Sequence, residues 1–208
     1  MTTADRIAEI LRPHAPEKKL KQPEVPLINQ IAALWDARQP KGVPSADPEW
    51  IVAARGKIGT REIVGPKHNT WIVESWHRLG ATWFNDDETP WCGLFVAWSL
   101  NAAGLTYPKE FPRAASFAAY GTACPAQLGA IGVKKRAGGN HVFFIVGITE
   151  DRRYYKALGG NQSNMVNIVD IAVGEVTDIR WPAGVPLPAR SAIYLPVLPR
   201  GTVSTSEA

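Results

Sequence analysis

The chain has 208 residues, 45% of them hydrophobic and 20% charged, with a formal net charge of +4. That balance excludes a disordered chain and leaves room for one domain of ordinary size plus a short appendage. The basic excess is scattered between Lys18-Lys19-Lys21 and Lys134-Lys135-Arg136. It is too thin for a nucleic-acid binder, and suits an anionic polymer or a plain solvated face.

The start, Met1-Thr2-Thr3-Ala4-Asp5-Arg6, lacks the basic-then-apolar plan of a signal peptide, so synthesis in the cytoplasm is expected. No apolar run reaches membrane-spanning length, so no stable membrane insertion is expected. Residues 4–12 and 26–37 carry apolar residues at helical spacing, and the prolines Pro13, Pro16, Pro23 and Pro26 separate them. Residues 1–45 thus predict a short helical arm and linker, with 46–200 as the main domain and 201–208 as a flexible tail. Helices are expected over 48–58, from an Asn69 or Thr70 cap to Leu79, from Cys92 to the stop at Gly104, and over 113–120. On the third of these, Cys92, Phe95, Val96 and Ser99 share one side. Strands are expected at 130–133, 141–149, 154–158, 166–171 and 191–195, joined by short loops that favour antiparallel pairing. Helices first and strands second indicate an α+β domain.

Chemistry concentrates in three places. Cys92 stands where a helix starts, after Pro90 and Trp91, where unpaired N–H groups and the helix field would lower a thiol pKa and could hold an oxyanion. The acidic run Asp86-Asp87-Glu88 argues for exposure there, and Gly93 for room beside the thiol. A buried cysteine acting as a small hydrophobe is the alternative. His141 follows Gly138-Gly139-Asn140 and opens an apolar strand, from whose lip an imidazole could take the thiol proton. The run Gly159-Gly160-Asn161-Gln162 returns beside it. Asn161 is preferred as the residue that orients the imidazole, with Gln162 as the alternative orienter or an oxyanion donor. A simple turn with Asn161 in a left-handed conformation also fits.

The two cysteines, Cys92 and Cys124, make no disulfide framework, and a pair would disable Cys92. Zinc-binding spacings are absent, and no cofactor is expected. Asp86, Asp87 and Glu88 give weak grounds for calcium but form no EF-hand loop. A solvated acidic run, or one receiving a cationic substrate group, fits equally.

These residues resemble the CHAP and NlpC/P60-type cysteine peptidoglycan hydrolases, in particular a phage- and prophage-associated branch of small CHAP-like proteins. The resemblance covers about residues 48–182. It rests on Ile58-Gly59, Glu62, Gly65, His68-Asn69, Asp87-Glu88-Thr89-Pro90-Trp91-Cys92, Ala115-Ser116, Gly129-Ala130, His141-Val142 and Leu158-Gly159-Gly160-Asn161-Gln162. It implies a papain-like fold with N-terminal helices on a mostly antiparallel sheet of about five strands. Cys92 would be the nucleophile, His141 the base and Asn161 the third polar residue, with Glu62 structural. Trp91, Asp87, Glu88, Phe143 and His68 would border the substrate groove. Phe143 departs from the family, which usually has glycine there, and a ring at that place could narrow the groove.

The implied activity is cleavage of an amide bond in bacterial peptidoglycan, as an N-acetylmuramoyl-L-alanine amidase or a peptide endopeptidase of the endolysin kind. It would act on the wall after release or delivery, as a monomer. Two other readings stand beside it. One is a non-catalytic wall-binding or phage structural protein on a hydrolase fold. The other is a cysteine amidase acting on another substrate.

Overall fold

The computed structural model describes residues 47–201, together with Gln30. The chain divides into two units, Met1–Ser45 and Ala46–Ala208, and the second contains the sheet and its helices. The helices expected within residues 4–12 and 26–37, and the tail beyond Gly201, lie outside the described residues. The architecture is α+β, with helices first and a mostly antiparallel sheet second.

Helix α1 (Glu49–Arg55) places an acidic residue in its first turn and a basic one in its last, complementing the helix dipole. It buries Trp50, Ile51 and Ala54. Trp50 donates its indole N–H to the Gly129 carbonyl at 2.9 Å and meets Trp181 edge-on, tying the helix to the sheet. Helix α2 (Thr70–Arg78) starts at Asn69, whose side-chain oxygen accepts from the N–H groups of Trp71 and Ile72. Helix α3 (Cys92–Ala102) buries Cys92, Gly93, Leu94, Phe95, Val96, Ala97, Ser99 and Leu100. The expected one-sided burial gives way to burial nearly all round, as suits a helix wedged between other helices and the sheet. The segment expected as a helix at 113–120 is a 3-10 helix, Ala114–Ala119.

Seven strands follow: β1 (Thr122–Ala123), β2 (Ile131–Arg136), β3 (Gly139–Thr149), β4 (Tyr154–Gly159), β5 (Asn167–Ala172), β6 (Val176–Trp181) and β7 (Val197–Leu198). Their order is β1-β6-β2-β3-β4-β5, and β7 adds to β3 in parallel. The apolar run 142–148 makes β3 the centre, flanked by β2 and β4. The expected strand at 191–195 is instead a 3-10 turn, Arg190–Ala192, followed by irregular chain. β6 was not expected, and its insertion beside β2 curls the sheet. In a flat sheet β5 and β6 would lie four strand spacings apart, roughly 19 Å. The link from Ala172 to Val176 spans at most about 14 Å, so the two flanks bend toward each other.

The last described residues are fixed by a buried ion pair. Lys156 pairs with Asp170 across β4 and β5 and also donates to the Pro199 carbonyl, while Asp170 accepts from the Gly201 N–H. No helix among the described residues is long and apolar enough to cross a membrane.

Candidate active site

The N-terminus of α3 abuts the start of β3. The backbone N–H of Val142, the residue after His141, faces the Cys92 sulfur, as do the N–H groups of Gly93 and Cys92 itself. Cys92 is only 4% exposed, and both cysteines are free thiols. Burial pushes the Cys92 thiol up from its ordinary value, against the pull of the Val142 N–H and the nearby positive charge of Arg136. This corrects the expectation of a lowered pKa. The donors of the helix start are present, but loss of solvation outweighs them.

His141 is buried. Its Nε2 lies 3.1 Å from the Gln162 side-chain oxygen. The orientation of that amide follows from its other end. Gln162 Nε2 faces three oxygens: the Asn167 side-chain oxygen at 2.8 Å, the Asn167 carbonyl at 2.9 Å and the Ala157 carbonyl at 3.3 Å. Only an NH2 group satisfies that set, so the oxygen must be the atom turned to His141. A carbonyl oxygen can only accept, so the neutral imidazole carries its proton on Nε2 and presents a lone pair at Nδ1. The side chain set against Nε2 is thus Gln162, the second choice of the sequence reading. Asn161 is buried in the turn with φ 57°, the left-handed conformation that asparagine tolerates.

The double glycine has a packing cause on each residue. A Cβ on Gly160 would come within 2.5 Å of the Phe95 Cβ and 2.8 Å of the Trp91 ring. A Cβ on Gly159 would meet the Gln162 side chain at 2.6 Å. The first glycine therefore lets Gln162 fold back toward His141, and the second lets α3 approach. Gly93 plays a similar part. Its missing side chain makes space for the Phe111 carbonyl, 2.1 Å from where a Cβ would sit, and not for a substrate.

Several expected groove residues are buried supports. Trp91 is fully buried and donates its indole N–H to Glu62 at 2.8 Å. Burial raises the Glu62 pKa, and the Trp91 hydrogen bond opposes it. Asp87 is fully buried, not part of a solvated run. It accepts from the Ile63 and Asn69 N–H groups, each at 2.8 Å, and from His68 at 3.0 Å. Burial alone would raise its pKa, but these donors together hold it below the usual carboxylate range. Both oxygens are engaged by protein groups, so the carboxylate clasps residues 63–69 to the loop before α3. Glu88 is exposed. Phe143 is fully buried, stacks against His141 and lies over Gly132, its partner on β2. The ring that departs from the expected pattern is accommodated by a glycine across the strand pair.

A cleft of about 290 Å³ opens beside the thiol. Cys92 lines it together with Pro90, Arg113 and Ala115 and with Arg136 and Asn140 from the β2–β3 hairpin. Sequence reasoning missed Arg113, Arg136 and Asn140. The signal for Arg136 was its place beside Gly138-Gly139-Asn140-His141, since a tight hairpin brings both ends of that run together.

Comparison with known proteins gives no match. No family model, no curated protein and no solved structure matches the chain.

Proposed function

We propose that this protein is a cysteine amidase or endopeptidase that cuts an amide bond of bacterial peptidoglycan, on a fold of the papain-like kind. The carrying observation is a thiol at a helix start that lines a cleft and faces the Val142 N–H of β3, next in the chain to His141, whose Nε2 proton is held by Gln162. In the proposed reaction His141 Nδ1 takes the Cys92 proton as the sulfur attacks the amide carbonyl. The N–H groups around the sulfur stabilise the oxyanion. The imidazolium returns the proton to the leaving amine, giving a thioester and a free amine. Water then adds to the thioester with His141 as base, releasing the acid and restoring the thiol.

The experiment is mass analysis of soluble fragments released from purified sacculi, with Cys92→Ala as control. New amino termini or free stem peptides with the wild type, and none with the variant, support the reading. Equal release by both, or none by either, refutes it. The buried, pushed-up thiol favours a second reading, a non-catalytic wall-binding protein, which predicts sedimentation with sacculi and no product. Hydrolysis of free peptides but not of sacculi would point to an amidase of another substrate.

A further inference from the structure

Residues 59–62 run beside the turn that carries Gln162. The Gly59 N–H donates to the Val166 carbonyl at 2.9 Å, the Val166 N–H to the Thr60 carbonyl at 2.8 Å, and the Glu62 N–H to the Asn164 carbonyl at 3.0 Å. Arg61 and Met165 pair between them as an isolated bridge. The turn so braced is strained. Its Gln162 N–H meets the Met165 carbonyl at 3.0 Å, and Ser163 and Asn164 between them have φ of 54° and 59°. Left-handed backbone is unfavourable for residues other than glycine, so neighbouring structure must hold it.

From this brace the Glu62 carboxylate accepts the Trp91 indole N–H at 2.8 Å, its one hydrogen bond among the described residues. Trp91 precedes Cys92 as the cap of α3, and its ring lies against Gly160 at the entry to the turn. A closed circuit of contacts results. It runs from Cys92 through Trp91 and Glu62 to the turn, through Gln162 to His141, and back to the sulfur by the Val142 N–H. The carboxylate is costly where it stands, since burial and the negative charges of Asp87, Glu88 and Asp86 all oppose its ionised form. Such a placement is expected where position matters more than stability.

We propose that Glu62 is a positioning residue for the Cys92–His141 pair, acting through Trp91 to hold the start of α3 against the turn that sets the imidazole. This rests on those two residues being the reacting pair of the proposed amidase. Thiol and imidazole come from separate elements, and small displacements between reacting groups are costly to rate.

The test follows geometry and stability side by side in the full chain, in Glu62→Leu, Glu62→Gln, Trp91→Phe and the double variant of Glu62→Leu with Trp91→Phe. Leucine removes the acceptor, glutamine keeps one, and phenylalanine removes the indole N–H. Geometry is read from the imidazole nitrogen shifts of His141 by NMR. It is read again from the rate at which the Cys92 sulfur displaces iodide from iodoacetamide, with peptide mass mapping to set Cys92 apart from Cys124. Glu62→Leu should move the nitrogen shifts and change the Cys92 rate by about threefold or more. Trp91→Phe should do the same, and decides the matter where Glu62→Leu fails to fold. The double variant should go little further than either, because both remove one bond. Glu62→Gln should return both readouts toward wild type. A role in stability alone predicts lower urea midpoints with unchanged shifts and rates, and that result overturns the proposal. So do additive effects in the double variant, or a Glu62→Gln as altered as Glu62→Leu. Where Cys92 resists the reagent in every chain, the nitrogen shifts decide. Neither readout needs a substrate. Sacculi left intact by a wild type that shows this coupling would refute the peptidoglycan reading alone. Digestion by the wild type, with shifts and rates unchanged in the variants, would refute the positioning role alone.

Discussion

Replacing Gln162 by leucine keeps most of the volume and removes both ends of the amide. His141 Nε2 then loses its 3.1 Å acceptor, and the Asn167 side chain and carbonyl lose donors at 2.8 and 2.9 Å. His141 and Gln162 are 1% and 0% exposed, so water cannot readily replace these partners. One stranded buried donor costs about 1–3 kcal/mol, and the orphaned acceptors raise the total to roughly 2–4 kcal/mol. With a urea slope of about 2 kcal/mol/M, the unfolding midpoint should fall by roughly 1–2 M at unchanged slope, followed by tryptophan fluorescence. Nitrogen NMR of the imidazole gives an independent readout. The wild type should show the Nε2–H form when neutral, and Gln162→Leu a mixture of the two tautomers. A midpoint shift under about 0.3 M, or unchanged nitrogen shifts, would refute both the assigned amide orientation and the role given to Gln162.

Gly160→Ala forces a Cβ against Phe95 and Trp91, and should cost about 1–3 kcal/mol while changing the alkylation rate of Cys92, because it pushes the start of α3 off the turn. An unchanged rate would separate the glycine from the thiol. Asp87→Asn should remove part of the acid dependence of stability. The Asp87 carboxyl titrates lower in the folded than in the unfolded chain, so its contribution is full above about pH 4 and fades as pH falls through the depressed folded value. Urea midpoints should drop more steeply below pH 4 in the wild type than in the variant, and parallel curves would contradict this.

Local signals made much of the scaffold legible before the fold was known. Asn69 marked the start of α2, and the run from Val142 marked β3, because capping chemistry and unbroken apolarity act over a few residues. β6 escaped notice because Thr177, Asp178 and Arg180 interrupt its apolar residues, and its pairing with β2 joins residues far apart in the chain. Ile193 and Leu195 carry the apolarity of a strand but belong to no ladder, although the Tyr194 carbonyl accepts from Leu128. The site divides in the same way. Cys92, His141 and the turn at 161–162 were visible as residue types at meaningful places. The burial of Asp87 was not, because its donors arrive from residues 63, 68 and 69 and a triplet of acids looks solvated in isolation. The choice between Asn161 and Gln162 depended on Asn167, five residues further on, which fixes which end of the glutamine amide points inward.

The enclosure of Cys92 also bears on how long the protein can survive in air. Oxidants and mixed-disulfide partners attack the anionic sulfur, and a shielded neutral thiol offers them little. Native Cys92 should therefore oxidise more slowly than a fully exposed cysteine, at a rate set by how far a reagent enters the cleft that it lines.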